Sequence, residues 1–265
     1  MRRGVRIVAV LALLLVVSWI LLDPASVLRD WLSGTVTGAA EPSPEPLSTL
    51  PTPPTCTFGD EPAPGREQAD WKVTLVDTLF ALPPEYVPDD LVDLSERLAD
   101  VSRFAAAPGL RLRAEAAQQL REMFRDAEAS RIYLEVVSAY RSFDYQRETF
   151  ARWVATDGYD LAIRTSARAG HSEHQLGSAV DLRIRGGAEP WDLDDWGETP
   201  EGRWVRDNAW RFGFVLSYPP GMEQVTCYAY EPWHYRYVGA GMAEAIRSSG
   251  LTLRVYLSTF LYADP

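Results

Sequence analysis

Lysine and histidine are scarce in this chain of 265 residues, and the shortage of lysine excludes one class of chemistry. The single lysine is Lys72, and Ala69 stands three residues before it. This excludes the serine enzymes whose nucleophile lies in a Ser-x-x-Lys motif, and no Gly-x-Ser-x-Gly elbow occurs either. The net charge of −11 argues against a nucleic-acid partner, because nucleic-acid phosphates would repel an acidic protein.

Two of the three histidines fall within the short stretch 170–181, and they point to metal chemistry. His174 stands seven residues before Asp181, and His234 follows Glu231 by three. Imidazole nitrogen and carboxylate oxygen are ligands that zinc takes, with one open position when the site is catalytic. The ligand candidates are therefore His174, Asp181 and His234, with Glu231 as a candidate general base. Short motifs also arise by chance, and these residues would then belong to a solvated surface.

Three longer sequence blocks extend these motifs. They are Ser-Ala-Tyr-Arg-Ser at 138–142, Ser-Glu-His-Gln-Leu-Gly-Ser-Ala-Val-Asp at 172–181 and Glu-Pro-Trp-His-Tyr-Arg-Tyr-Val-Gly at 231–239. In order and separation they resemble the VanY-type D-alanyl-D-alanine carboxypeptidases, which are zinc peptidases of bacterial cell-wall peptides. The resemblance runs from about Trp71 to Gly239. It implies an α+β fold of the hedgehog and D,D-peptidase type, in which a small antiparallel sheet carries one zinc ion and helices pack around it.

The resemblance also implies roles for residues outside the ligand set. Arg141 matches the arginine that family members aim at the scissile carbonyl or the substrate carboxylate, and a guanidinium offers several fixed donors to an oxyanion. Ser172 matches a serine beside the substrate, although a local turn hydrogen bond is the alternative. Gln146 is a further candidate for substrate contact, with an exposed helix position as the alternative. His171 has no counterpart in the family pattern and is predicted to be a loop residue.

The reaction implied by the resemblance is removal of the C-terminal D-alanine from peptidoglycan stem peptides. Close relatives cut after an L-centre, so L,D-carboxypeptidase or endopeptidase activity on the same peptides stays open. A non-catalytic zinc domain that binds peptidoglycan or a protein is another alternative. Loss of the general base would mark that branch, and Glu231 is present. The sequence does not indicate an oligomeric state.

The N-terminal part of the chain predicts a membrane anchor and a spacer. A basic end at 1–6 precedes an apolar run, and 7–25 is long enough to be a transmembrane helix with the N-terminus in the cytoplasm and the catalytic domain outside the cell. A signal peptide that is cleaved to release a secreted protein is the alternative. The proline-rich stretch 33–55 buries little apolar surface and should be an extended linker.

The remainder, 56–265, is long enough to form one catalytic domain. Its two cysteines, Cys56 and Cys227, are predicted to form a disulfide if the chain is exported. Asp181 stands in a predicted strand at 178–184, where an unpaired buried carboxylate would be costly unless it bound a cation.

Periodicity predicts the other elements. An amphipathic helix is expected at 111–130, where an apolar face is formed by Leu112, Ala116, Leu120, Phe124 and Ala127. Another helix should begin after Ser142, and a third should end before Gly213. The remaining expectations are a helix from Asp89-Asp90 to about Phe104, a central strand at 131–139 and strands at 214–218 and 226–230. In the tryptophan-rich segment 186–202, Trp191 and Trp196 could rim a substrate groove or close over the core.

Overall fold

A four-stranded antiparallel sheet lies at the centre of the fold, with helices packed around it. The computed structural model describes residues 54–100 and 106–262. The strands are β1 (Glu61–Pro62), β2 (Phe80–Ala81), β3 (Leu91–Asp93), β4 (Arg111–Arg113), β5 (Leu134–Ser138), β6 (Ala179–Ile184), β7 (Phe214–Leu216) and β8 (His234–Tyr237). The prediction of an α+β fold with a small antiparallel sheet is confirmed.

The helices flank this sheet in chain order. They are α1 (Leu94–Arg97), α2 (Ala114–Ala129), α3 (Phe143–Asp157), α4 (Tyr159–Thr165), α5 (Pro200–Asn208), α6 (Glu223–Thr226), α7 (Ala240–Ser249) and α8 (Leu253–Phe260). Short 3-10 turns occupy Gln68–Asp70, Glu173–Leu176, Pro190–Asp192, Trp196–Glu198 and Ala209–Phe212. Two small sheets complete the fold, with β1 parallel to β2 and β3 antiparallel to β4.

The central sheet has the strand order β5-β6-β8-β7, and its two faces differ. Successive side chains of a strand point to opposite faces. Val180 and Leu182 on β6 and Tyr235 on β8 enter the main apolar core. Asp181 and His234 therefore point to the other face, and the register of β6 and β8 places them directly opposite each other.

Helix α2 fills the core side of the sheet, as its periodicity predicts. Ala116, Leu120, Phe124 and Ala127 are all buried in the main core. Leu112 is buried as well, but it belongs to β4, which precedes the helix. The Ser142 hydroxyl accepts a hydrogen bond from the Tyr145 amide and so begins α3, as expected.

The helix expected from Asp89-Asp90 is wrong in start and length. The chain forms β3 first, and α1 is only one turn, capped by Asp93. Asp93 accepts hydrogen bonds from the Ser95 and Gly109 amides, so it holds the turn that ends the strand. The Asp90 carboxylate is instead engaged by Arg113 at 2.6 Å and cannot act as a cap.

Two strand predictions also need correction. The strand at 131–139 is β5, and it lies at the edge of the four-stranded sheet because only β6 pairs with it there. The segment 226–230 is not a strand, since α6 ends at Thr226 and Cys227 adopts a left-handed conformation with φ of 69°. Tyr228 and Cys227 are apolar here because they are buried, and not because they pair in a sheet.

The predicted anchor (7–25) and all but the last two residues of the predicted linker (33–55) lie outside the described residues. Within 54–100 and 106–262, no helix has the length and apolar character needed to cross a bilayer. Cys56 and Cys227 are joined by a disulfide, with their Cα atoms 5.5 Å apart.

Candidate active site

The three predicted metal ligands come from two strands and one turn. Asp181 and His234 face each other across β6 and β8, and His174 lies in the 3-10 turn just before β6. All three side chains are buried, and one potential ligand atom from each lies within 4.8 Å of the others. The set of two imidazoles and one carboxylate is the donor chemistry that zinc accepts.

The orientation of His174 is fixed by the backbone. Its Nδ1 donates a hydrogen bond to the Ala139 carbonyl at 2.6 Å. Its buried Nε2 has no hydrogen-bond partner among the described residues, although Asp181 Oδ2 lies 3.2 Å away. Burial and the charge of Arg141 lower the pKa of His174 to about 4. The ring is therefore neutral near pH 7 and presents a lone pair toward Asp181, which fits a metal ligand.

His234 is held between two carboxylates. Its Nδ1 lies 3.0 Å from Asp181 Oδ1, on the ligand side, and its Nε2 lies 2.9 Å from Glu173 Oε2. Burial lowers the pKa of His234, but the hydrogen bonds to both carboxylates outweigh it and raise the pKa to about 10. Without a cation, a proton on Nδ1 therefore neutralises Asp181, and a metal ion could replace that proton. The site fits a divalent cation on this ground.

Glu231 and Arg141 flank the ligand cluster. Glu231 Oε2 lies 3.8 Å from His234 Nδ1, and 19% of the glutamate side chain is exposed. Burial raises the pKa of Glu231 to about 7, with the neighbouring Asp181 charge adding to the rise and His234 opposing it. A carboxylate with a pKa near the working pH is suited to taking and returning a proton.

Arg141 approaches from the other side of Asp181. Its Nη2 lies 3.8 Å from Asp181 Oδ2, and 21% of its side chain is exposed. Its buried Nε has no hydrogen-bond partner among the residues that the structure describes. The guanidinium therefore keeps donor capacity for an anionic group that enters the site.

The two substrate candidates lie beside this cluster. The Ser172 hydroxyl accepts a hydrogen bond from the His174 amide at 3.3 Å and caps the turn, which is the local role given as its alternative. Gln146 is only 1% exposed, so its alternative as an exposed helix residue is wrong. Its Nε2 donates to the Ala167 carbonyl at 2.7 Å, and its buried Oε1 lacks a partner within the described part of the chain.

The structure separates His171 from the cluster. Its Nδ1 contacts the Asp77 carbonyl at 2.7 Å and its Nε2 contacts Asp60 at 3.0 Å. In the tryptophan-rich segment, Trp196 is fully buried in the main core and so closes over it. Trp191 is 48% exposed and makes an edge contact with Trp233, at 6.1 Å between ring centres.

Sequence reasoning missed the residues behind His234. Glu173 accepts hydrogen bonds from Ser217 and Arg236, and all three side chains are buried. The signal for Arg236 was its position two residues after His234 on β8, which places both on one face. Glu173 gave no such signal, because it is adjacent in sequence to His174 and yet contacts the other histidine.

The start of the domain is tied to both catalytic loops. We call residues 54–60 the N-terminal strap. Its Cys56 is bonded to Cys227, four residues before Glu231, and its Asp60 contacts His171 in the loop that carries His174. Arg254 on α8 donates to the Pro54 and Val225 carbonyls, at 2.7 and 2.9 Å, and so holds the strap against the segment that leads to Glu231.

Comparison with known proteins gives a consistent picture. The sequence profile of the VanY family, described as D-alanyl-D-alanine carboxypeptidase, matches residues 109–240. The D-alanyl-D-alanine carboxypeptidase of Enterococcus faecalis (strain ATCC 700802 / V583) is 34% identical over 215 residues, which cover 74% of this chain and 70% of that protein.

Two solved structures share the fold. The LdcB LD-carboxypeptidase is 39% identical, with a TM-score of 0.60 over 69% of this chain and 84% of that one. VanYB, solved in complex with D-alanine-D-alanine, is 34% identical, with a TM-score of 0.59 over 72% of this chain and 99% of that one. The match of profile, sequence and fold leads to one conclusion: this chain belongs to the VanY family of D-alanyl-D-alanine carboxypeptidases.

Proposed function

We propose that this chain is a zinc-dependent peptidase that removes the C-terminal D-alanine from peptidoglycan stem peptides. The observation that carries the proposal is the convergence of three buried ligands, His174, Asp181 and His234, beside a proton acceptor and an arginine with free donors. These three residues would hold one zinc ion. When bound there, zinc supplies Lewis-acid chemistry and makes water acidic enough to lose a proton near neutral pH. A VanY relative has been solved in complex with Zn(II), which supports this choice of metal.

Glu231 would move the proton during hydrolysis. Its carboxylate accepts a proton from the attacking water, and the water oxygen bonds to the carbonyl carbon of the scissile peptide. When the carbon–nitrogen bond breaks, Glu231 returns the proton to the departing amine of D-alanine. One side chain can perform both steps because its raised pKa lets it hold and release a proton near pH 7.

Arg141 would bind the negative charge of the reacting peptide. Its guanidinium lies beside Asp181 and carries a donor that the protein leaves unused. A fixed cationic donor stabilises an oxyanion as charge develops on the carbonyl oxygen, and it binds a terminal carboxylate by the same chemistry.

The substrate assignment has one specific rival. VanYB binds D-alanine-D-alanine, which favours a D,D-carboxypeptidase. LdcB, an LD-carboxypeptidase associated with peptidoglycan recognition, shares 39% identity with this chain, and that favours cleavage after an L-centre. The same zinc, base and arginine would serve either bond.

Incubation of the protein with stem tripeptides, tetrapeptides and pentapeptides, followed by mass spectrometry, would decide between these substrates. Shortening of the pentapeptide alone would identify a D,D-carboxypeptidase, whereas shortening of the tetrapeptide would identify the L,D activity. A parallel reaction with a chelator tests the need for metal. Stoichiometric zinc without any cleavage would point to the non-catalytic alternative and would contradict the proposal.

We also propose that the N-terminal segment holds the catalytic domain outside the cell membrane. The apolar stretch 7–25 and its basic flank support an anchor, and the proline-rich stretch 33–55 could span on the order of 70 Å as an extended spacer. Fractionation of cells that express the full chain tests this, with a chain lacking residues 1–25 as the control. Recovery of the full chain in the soluble fraction would contradict it.

A further inference from the structure

We infer that Glu173 is a positioning residue for the metal ligand His234, and that its negative charge strengthens this imidazole as a donor. The inference rests on the proposed zinc site. It concerns a residue that stands next to one ligand in the sequence and acts on a different one. The hydrogen bond from His234 Nε2 to Glu173 Oε2, at 2.9 Å, is the contact that carries it.

The two histidine ligands are held in different ways. His174 gives its Nδ1–H to the neutral carbonyl of Ala139 and turns its Nε2 toward the ligand cluster. His234 turns its Nδ1 toward Asp181 and gives its Nε2–H to a carboxylate. The nitrogen that faces the cluster is therefore fixed by the partner of the other nitrogen, which for His234 is Glu173.

Glu173 is itself held without freedom to turn. Its Oε1 accepts a hydrogen bond from Arg236 at 3.0 Å, and its Oε2 accepts one from Ser217 at 2.6 Å in addition to that from His234. Arg236 is anchored in turn, because it also donates to the Thr74 carbonyl at 2.7 Å. The carboxylate is buried, so solvent does not screen its charge from the imidazole.

This arrangement is more than a structural ion pair. An ion pair with Arg236 needs only one carboxylate oxygen, and Oε1 serves it. The second oxygen is aimed at the ring of His234 and is steadied there by Ser217. A carboxylate that accepts the N–H of a ligand imidazole raises the basicity of the ligand and fixes its ring, and removal of such a partner typically costs about 10–100-fold in metal affinity.

The test is the zinc dissociation constant of the full chain, measured by competition with a chromogenic chelator. Glu173→Gln keeps the shape of the side chain and an oxygen that can accept the His234 N–H, but it removes the charge. Asp77→Asn is the matched control, because it neutralises a different buried carboxylate, one that contacts Arg254 at 2.7 Å. We expect Glu173→Gln to weaken zinc binding by about 10–100-fold, and Asp77→Asn to leave it unchanged.

Two further readouts keep the result decisive. Cobalt(II) bound in place of zinc should show a shifted visible absorption band in Glu173→Gln and an unshifted band in Asp77→Asn, because only the first alters the environment of His234. Ser217→Ala removes one support of Oε2 without burying an unpaired charge, and we expect it to weaken zinc binding several-fold. If Glu173→Gln fails to fold, this variant decides the question.

The outcomes separate this inference from the proposed function. Equal zinc affinity in the wild type and in the folded Glu173 or Ser217 variant would overturn the inference alone. A wild-type chain that takes up no zinc would overturn the proposed function and the inference with it.

Discussion

Replacement of Glu231 by glutamine should inactivate the enzyme and, at the same time, stabilise its metal-free form. The side chain is largely buried beside His234 and Asp181, and burial raises its pKa from 4.5 to about 7. A buried carboxylate that resists ionisation costs folding free energy wherever it is forced to ionise. Glutamine has nearly the same shape and no charge, so it removes this cost together with the proton acceptor.

The size and sign of the effect follow from the two pKa values. Below about pH 4.5, Glu231 is protonated in both the folded and the unfolded chain and makes no difference. As the pH rises from 4.5 to about 7, the unfolded chain loses its proton first, and the folded state loses stability. Above about pH 7 the loss is complete at roughly 3 kcal/mol, because each pH unit corresponds to 1.36 kcal/mol.

Urea denaturation of the metal-free protein measures this term. Glu231→Gln should exceed the parent in free energy of unfolding by up to about 3 kcal/mol near pH 8, and the two should agree near pH 4. Glu244→Gln, which changes an exposed glutamate on α7, should match the parent at both pH values. The catalytic cost is read as kcat/KM, which should fall by about 10²–10⁴-fold with zinc still bound.

Either half of this prediction can fail separately. Equal stability of the variant and the parent near pH 8 would show that Glu231 ionises without penalty, and the burial argument would be wrong. Activity within tenfold of the parent would show that another group moves the proton.

Three other predictions address the surroundings of the site. Arg141→Lys keeps the positive charge but loses the fork of donors, so kcat/KM should fall by about 10²–10³-fold while zinc content stays constant; unchanged kcat/KM would refute the role of Arg141. Reduction of the Cys56–Cys227 disulfide should lower the free energy of unfolding by roughly 2–5 kcal/mol, and a Cys56→Ser/Cys227→Ser double variant should not respond to the reductant. In Glu173, burial raises the pKa, but Arg236 and the hydrogen bonds from His234 and Ser217 lower it to about 2. The metal-free protein should therefore keep the stability from this group above about pH 4.5 and lose it as the pH falls toward 2, whereas Glu173→Gln should show a smaller loss over that range.

Much of the fold and the ligand set could be predicted because local chemistry determines them. Leu120 and Phe124 recur at helical spacing, so the buried face of α2 is legible in one dimension. His174, Asp181 and His234 form a donor set with few alternative uses, and the surrounding sequence blocks carried their family resemblance. The hypothesis that placed them in one cluster needed no knowledge of the intervening chain.

The remainder depends on contacts between distant segments. Arg113 takes the Asp90 carboxylate and leaves Asp93 to cap α1, and no local pattern distinguishes these two aspartates. The segment after Thr226 has strand-like residues, but its disulfide partner comes from 171 positions earlier in the chain. The role of Glu173 likewise depends on which nitrogen of His234 faces Asp181, and only the folded ring orientation decides that.

The pairing of Asp181 with His234 makes zinc capture a test of correct folding. The two residues stand 53 positions apart and meet only because β6 and β8 align in one register. A slip by a single residue would turn the alternate side chains over, bringing Tyr235 or Trp233 to the place of the histidine. A mispaired chain would therefore be both less stable and unable to retain the ion, so metal uptake favours the one alignment that can hydrolyse a peptide. By the same geometry, insertions between these strands can be accommodated in the loops, whereas an insertion within either strand would abolish the centre.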